Sequence, residues 1–233
     1  MPLNKQSGNM YPWVTHTWNP IKGKCSHNCK YCYMKRFPQP ELHFDRKELG
    51  VDLGSGNTIF VGSSCDMFAE NVPKEWLYEI LGHCEDYLDN TYLFQTKNPL
   101  RYQYINPYDG LNVSWSKRVI IGTTIETNRN YKDFGWEYHV SNAPEPIERW
   151  DWLLRTKAYH KMVSIEPIMD FDLDIFVSWI KNIKPDFVSI GADSKGHNLP
   201  EPSSIKVNDL IKALKQITEV KVKSNLKRLG VIV

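Results

Sequence analysis

The sequence predicts an α/β fold, read as a partial parallel TIM-like barrel of six βα units in a single domain over residues 1–233. Short apolar runs rich in Val, Ile, Phe, Tyr and Thr alternate with amphipathic stretches, as buried parallel strands alternate with helices. The runs begin roughly 25 to 45 residues apart, the size of a βα unit with variable loops. Most runs end in small polar residues followed by a charge or an amide, and parallel α/β folds bind ligands at the carboxyl ends of their strands. Six or seven runs do not make a full eightfold barrel.

In chain order the predicted strands are Val14 to Thr17, Thr58 to Gly62, Thr91 to Gln95, Val119 to Thr123, Met162 to Ile165, Phe187 to Ile190 and, more weakly, Val220 to Val222. In KEWLYEILGHCEDYL, residues Leu77, Ile80, Leu81, Cys84 and Leu88 share one helical face. Further helices are predicted over Pro146 to Lys157, with Pro in the first turn, over Asp172 to Lys184 and over Val207 to Thr218. The polar, Gly-containing stretch 38–57 reads as a long loop or small insertion. No repeat or low-complexity segment is visible.

The chain is 41% hydrophobic and 24% charged, with a net charge of +2, which neither demands nor excludes a nucleic-acid partner. No run reaches the roughly 18 apolar residues of a membrane span. The N-terminal MPLNKQSGNMYPW lacks the apolar core of an export signal, so a cytoplasmic protein without membrane contact is expected. Of five cysteines, three crowd into KCSHNCKYCY. That crowding and the odd number speak against a disulfide framework and for metal binding in a reducing compartment.

The spacing of Cys25, Cys29 and Cys32 is C-x3-C-x2-C, directly after the first strand. Structural zinc needs four ligands, with His27 or His43 as candidates for the fourth. A four-cysteine ferredoxin-type cluster needs Cys65 or Cys84; Cys84 lies on an apolar helix face and reads as an inert core residue. The remaining claimant is a [4Fe–4S] cluster held at three corners.

The loop, with an aromatic before its third cysteine and a place after strand one, resembles the radical SAM superfamily. The longer string TWNPIKGKCSHNCKYCYMKR resembles more narrowly a phage-associated, uncharacterised radical-SAM-like family. That likeness continues through IFVGSSCDMFAENVPKEW, YLFQTKNPLRY, IIGTTIETN, KMVSIEPIMDF and FVSIGADSKG. At the loop alone, CSHNCKYCY is also similar to the spore photoproduct lyase family of DNA-repair enzymes. The resemblance implies that Cys25, Cys29 and Cys32 bind three irons and that S-adenosylmethionine (SAM) chelates the fourth. It also implies one-electron cleavage of SAM to a 5′-deoxyadenosyl radical, with a flavodoxin- or ferredoxin-type donor supplying the electron. Phage association points to a nucleic acid or nucleotide as substrate. The alternative is a zinc or iron–sulfur nucleic-acid-binding protein without radical chemistry.

The same resemblance assigns candidate cofactor-binding residues. Tyr31 sits at the aromatic position beside the cluster, where loop packing is the plainer role. Gly62, Ser63 and Ser64 match the segment that meets the methionine amino group; this chain lacks the family's usual glycine-rich or acidic ending, and Asp66 is the nearest carboxylate. Thr124, Glu126, Ser164 and Glu166 close two strands where ribose hydroxyls and the methionine carboxylate bind, although Ser and Thr there would also cap helices. Gly191 would let adenine approach the backbone, or would serve a turn. Lys97 reads as an anion contact or a solvated lysine. Cys65 reads as a hydrogen-atom donor or a small core residue. Trp13 and Trp18 could stack bases, against the ordinary reading of buried packing. The basic KVKSNLKRLG is a weak phosphate signal.

Overall fold

Short apolar runs, buried on both faces in the central strands, build one eight-stranded sheet in a computed structural model of the chain, which describes residues 3–6, 11–104, 115–134 and 140–232. Its strands are β1 (Asn4–Lys5), β2 (His16–Trp18), β5 (Thr58–Val61), β6 (Thr91–Thr96), β7 (Trp115–Thr124), β8 (Ala158–Ile165), β9 (Phe187–Ile190) and β10 (Glu219–Val222), paired in that order. From β2 to β10 every neighbouring pair is parallel; β1 adds antiparallel to β2. A separate pair, β3 (Ile21–Lys22) and β4 (His43–Phe44), is antiparallel.

Helices return the chain between parallel strands: α1 (Lys74–Glu85), α2 (Arg101–Tyr104), α3 (Pro146–Arg155), α4 (Leu173–Ile183) and α5 (Ser204–Leu214). On α1 the residues Leu77, Ile80, Leu81 and Cys84 are buried, and each of these aliphatics removed from water contributes about 1.5–3 kcal/mol. Ser203 caps α5 by accepting from the backbone N–H of Lys206.

The pleat divides each strand between two cores. Ile59, Val61, Tyr92, Phe94, Ile121, Val163, Val188 and Ile190 join the larger core. Phe60, Leu93, Met162 and Phe187, next along the same strands, meet Tyr11 and Val14 in a second cluster with Trp13 against it. Tyr11 stacks on Trp13 at 5.4 Å, and Trp13 meets Phe187 edge-on at 5.0 Å. The N-terminal segment therefore fills the lower part of the sheet's inner face.

All seven predicted runs hold parallel strands, the weakly predicted seventh included, since β10 forms a full register with β9. Three finer expectations need correction. The first strand begins at His16, two residues later than predicted. Leu88 is 64% exposed, since α1 ends at Glu85 before the apolar periodicity does. Segment 38–57 holds β4 and a short 3-10 helix (Arg46–Gly50), with Val51 and Leu53 in the core. Among the described residues no helix is long and apolar enough to cross a membrane.

Candidate active site

The three-cysteine loop closes on itself through turns. Asn28 accepts the left-handed conformation (φ 43°), which short polar side chains tolerate, and its N–H bonds to the Cys25 carbonyl at 3.3 Å. The Cys32 N–H bonds to the Cys29 carbonyl at 3.1 Å. The N–H of Lys30 donates to the Val140 carbonyl, and the N–H of Asn142 to the His27 carbonyl, both at 2.7 Å. From below, His27 Nε2 meets the Asp66 carboxylate at 2.9 Å.

Cys29 is buried and shares a hydrogen bond with the Ser141 hydroxyl at 3.2 Å; Cys25 and Cys32 are half-buried. Burial raises the Cys29 thiol, while the facing Lys97 ammonium and Ser141 draw it back. A hydrogen bond from Cys65 lowers the Cys25 thiol against the effect of burial. Cys65 lies 3% exposed beside the loop, and Cys84 is buried elsewhere on α1.

Behind the loop lies a buried ionic group that the sequence does not announce. Glu126 and Arg149 are both fully buried and pair at 2.8 Å. Arg149 also donates to the Thr124 carbonyl at 2.7 Å, to the Pro144 carbonyl at 2.8 Å and to the Tyr131 hydroxyl. The Tyr131 hydroxyl donates to Glu126 Oε2 at 2.9 Å, and the Tyr31 hydroxyl to Glu126 Oε1. Burial would raise the Glu126 carboxyl, but Arg149, Lys97 and Tyr31 outweigh it and hold the group below the usual carboxylate range. The Lys97 ammonium lies 5.3 Å from the Tyr31 ring centroid. Burial opposes its charge, and Cys29 and Glu126 overcome that and raise it. A loop tyrosine between two thiols is thus tied to the sheet by a saturated carboxylate. Glu126 reaches the loop only through Tyr31.

At the upper end of the inner face the strand-end residues converge. Gln95 Nε2 donates to the Thr124 hydroxyl at 3.0 Å, and Tyr11 lies between Gln95 Oε1 (2.8 Å) and the Ser164 hydroxyl (3.0 Å). Glu166 pairs with Lys223 at 2.6 Å and accepts from Asn225 at 3.3 Å. The Lys223 ammonium also sits 4.6 Å from the Tyr11 ring centroid. Gly191 makes room here: a Cβ on it would lie 2.7 Å from the Glu166 carboxyl carbon.

The β5 end is arranged differently. Gly62 (φ 75°) turns the chain, and the Ser63 hydroxyl and Ser64 N–H both donate to Asn19 Oδ1, at 3.1 and 2.9 Å. Asp66 faces inward, accepting from Thr96 Oγ1, the Lys97 N–H and the Phe68 N–H besides His27. Its carboxylate is held below its ordinary value because His27 and those donors outweigh burial.

The structure therefore brings Cys25, Cys29 and Cys32 onto one loop and packs Tyr31 and Lys97 against it. Thr124, Ser164, Glu166 and Gly191 share one inner face. It commits Glu126 and Asp66 to internal bonds. Trp18 is 1% exposed, with its Nε1 donating to the Glu48 carbonyl, so it offers no face to a base. Sequence reasoning missed Tyr11, Tyr131, Arg149 and Asn225. Gln95 was visible as a strand-end polar group and Lys223 only as part of the basic C-terminal stretch. Among the described residues no three His, Cys, Asp or Glu side chains are gathered as they would be around a single metal ion.

The family model described as "Protein of unknown function (DUF5131)" matches residues 39–205. No curated protein matches the chain in a sequence search. Spore photoproduct lyase complexed with dinucleoside spore photoproduct is similar in structure, with a TM-score of 0.61 and 9% identity over 93% of this chain and 78% of that one. A double mutant of spore photoproduct lyase with bound AdoMet and dinucleoside spore photoproduct gives a TM-score of 0.62 and 9% identity, covering 95% and 80%. At such identity the likeness is one of fold: a mostly parallel sheet with helices.

Proposed function

We propose a function from the site itself, because the chain belongs to the DUF5131 family, whose description assigns no activity. Residues 1–233 act as one radical SAM domain, in line with the sequence resemblance to the phage-associated branch, and the protein is cytoplasmic. The observation that carries the reading is the C-x3-C-x2-C loop tied by Tyr31 to the rim of a parallel sheet whose inner face ends in polar groups. The donor set fits a [4Fe–4S] cluster held at three corners. Three thiols lie on one loop, two of them half-buried, with the Lys97 ammonium to offset their negative charge.

In this reading Cys25, Cys29 and Cys32 hold the cluster, and SAM takes the open iron. When bound, the pair supplies a 5′-deoxyadenosyl radical after one-electron reduction. The chain's own residues position and shield. Arg149 and Tyr131 fix Glu126, and Glu126 fixes Tyr31 between the second and third cysteines. The Thr124 hydroxyl already accepts from Gln95, so its own proton is left to donate to a cofactor oxygen. Gly62 to Ser64 are the proposed partners of the methionine amino group, with the Ser63 hydroxyl and the Ser64 N–H bonded to Asn19. Gly191 and Glu166 line the adenosine side, and Tyr11 and Trp13 close the space below. A nucleotide or nucleic acid is the proposed substrate class, supported by the dinucleoside bound in the similar structures.

The test is anaerobic iron–sulfur reconstitution, dithionite reduction and assay for 5′-deoxyadenosine. The expected result is about four irons with equal sulfide per chain and product formation that requires all three cysteines. Zinc without sulfide, or a fully loaded protein that leaves SAM intact, would overturn the proposal.

A further inference from the structure

The chain holds 29 basic and 27 acidic residues, yet segment 23–40 contains Lys24, Lys30, Lys35 and Arg36 and no acid. The rest of the protein therefore carries 25 basic against 27 acidic residues, so the loop segment is locally basic, as is the acid-free stretch 220–233 with Lys221, Lys223, Lys227 and Arg228. Directly after Cys32, a single 3-10 turn (Tyr33–Arg36) has no buried residue. Tyr33 is 39% exposed and Phe37 47%, and the Arg36 guanidinium lies over both rings, at 5.9 and 4.8 Å from their centroids. The Lys35 ammonium reaches back to the Asn28 carbonyl at 3.3 Å, which holds the turn against the stretch between Cys25 and Cys29. The Tyr33 hydroxyl donates to the Ser63 carbonyl at 2.9 Å, which fixes it to the end of β5. The outcome is an exposed turn, built on the loop itself, that carries two exposed aromatics with the Arg36 guanidinium over both. Exposed apolar groups ringed by charge mark interaction sites.

Resting on the radical SAM reading, we propose that Tyr33, Phe37, Lys24, Lys30, Lys35 and Arg36 form the docking surface for a small acidic one-electron carrier of the flavodoxin or ferredoxin class. Electron transfer falls steeply with distance, so a donor must sit against the cysteine loop, and this turn follows the third cysteine directly. Redox encounters are small and transient and gain speed from a few complementary charges. Nucleic acid is the weaker occupant, because duplex-binding surfaces commonly engage about six to ten phosphates, more than four cations can neutralise. The step is a one-electron transfer: flavodoxin hydroquinone is oxidised to semiquinone as the cluster is reduced.

The test compares wild type with the Lys35→Glu/Arg36→Glu variant, both reconstituted, using two reductants. Dithionite needs no docking, so 5′-deoxyadenosine formation with it should stay within about twofold of wild type, with iron content unchanged. With reduced flavodoxin at low salt, the variant's rate should fall at least about tenfold. Raising salt from about 20 mM to about 300 mM should slow the wild type and leave the variant little changed. Titration with oxidised flavodoxin, followed by its flavin fluorescence, should show salt-sensitive binding to wild type only. Equal rates with flavodoxin would overturn the docking surface. So would loss of affinity for a single-stranded oligonucleotide with the flavodoxin-driven rate intact. A wild type inactive with dithionite but binding flavodoxin would overturn the radical reading and leave the surface standing.

Discussion

Replacing Arg149 with Met removes a fully buried guanidinium bonded to a carboxylate that is itself fully buried. The change also deletes donors to the carbonyls of Thr124 and Pro144 and to Tyr131. Methionine keeps much of the side-chain length, so the loss is mainly electrostatic. Removing one partner of a buried pair typically costs about 3–5 kcal/mol. For a chain of this size that corresponds to a fall in melting temperature of about 10 °C. The cost depends on pH in a defined direction. In wild type, Glu126 is held below its unfolded value of about 4.3, so its contribution is present above that pH and lost as acid protonates it. In the variant, burial acts unopposed by Arg149 and raises the carboxyl above its unfolded value. The native state then binds the extra proton, and the deficit shrinks as pH falls from 8 toward 5. Circular-dichroism melts at both pH values measure this, and the Arg149→Met/Glu126→Gln double variant should recover much of the loss. A single variant melting within about 2 °C of wild type at pH 8 would refute the argument. So would a deficit equal at both pH values, or a double variant no better than the single.

Four further outcomes follow from the same geometry. Single Cys→Ala changes at 25, 29 or 32 should each cut iron retained after reconstitution, whereas Cys84→Ala should retain it, as read by iron and sulfide analysis. Cys65→Ala should also retain iron if the contact with Cys25 is not a fourth ligation; unchanged turnover and products would end the idea of Cys65 as a hydrogen-atom donor. Gly191→Ala should push Glu166 off Lys223 and Asn225, destabilise by about 1–3 kcal/mol and weaken SAM binding in a calorimetric titration. Tyr31→Phe should keep the fold but loosen the loop, seen as faster amide exchange at 29–33 and altered electron paramagnetic resonance of the reduced protein.

The central strands were legible because their runs are apolar on both faces and end where polarity begins; Phe187 to Ile190 matches to the residue, whereas β10, with Glu219 and Lys221, gave only a weak signal. The two-residue strands β3 and β4 carry no period to read, and their place comes from contacts of segment 38–57 with the core. At the site, spacing singled out Cys25, Cys29 and Cys32 as candidate ligands because their relation is local, and the structure places all three on one loop. Arg149 read as an ordinary helix residue, since its partner lies 23 residues away. Tyr11 reaches Ser164 across 153 residues, a relation that only the folded chain creates. Glu126 was noticed for a correct reason, a charge where no cap was needed, yet its bonds point to the loop anchor.

The Tyr11–Trp13 pair belongs to a segment ahead of the first parallel strand, so what covers this face of the sheet is independent of the sheet's own ladders. Tyr11→Ala should remove that cover's bonds to Gln95 and Ser164 while every parallel pairing from β2 to β10 persists.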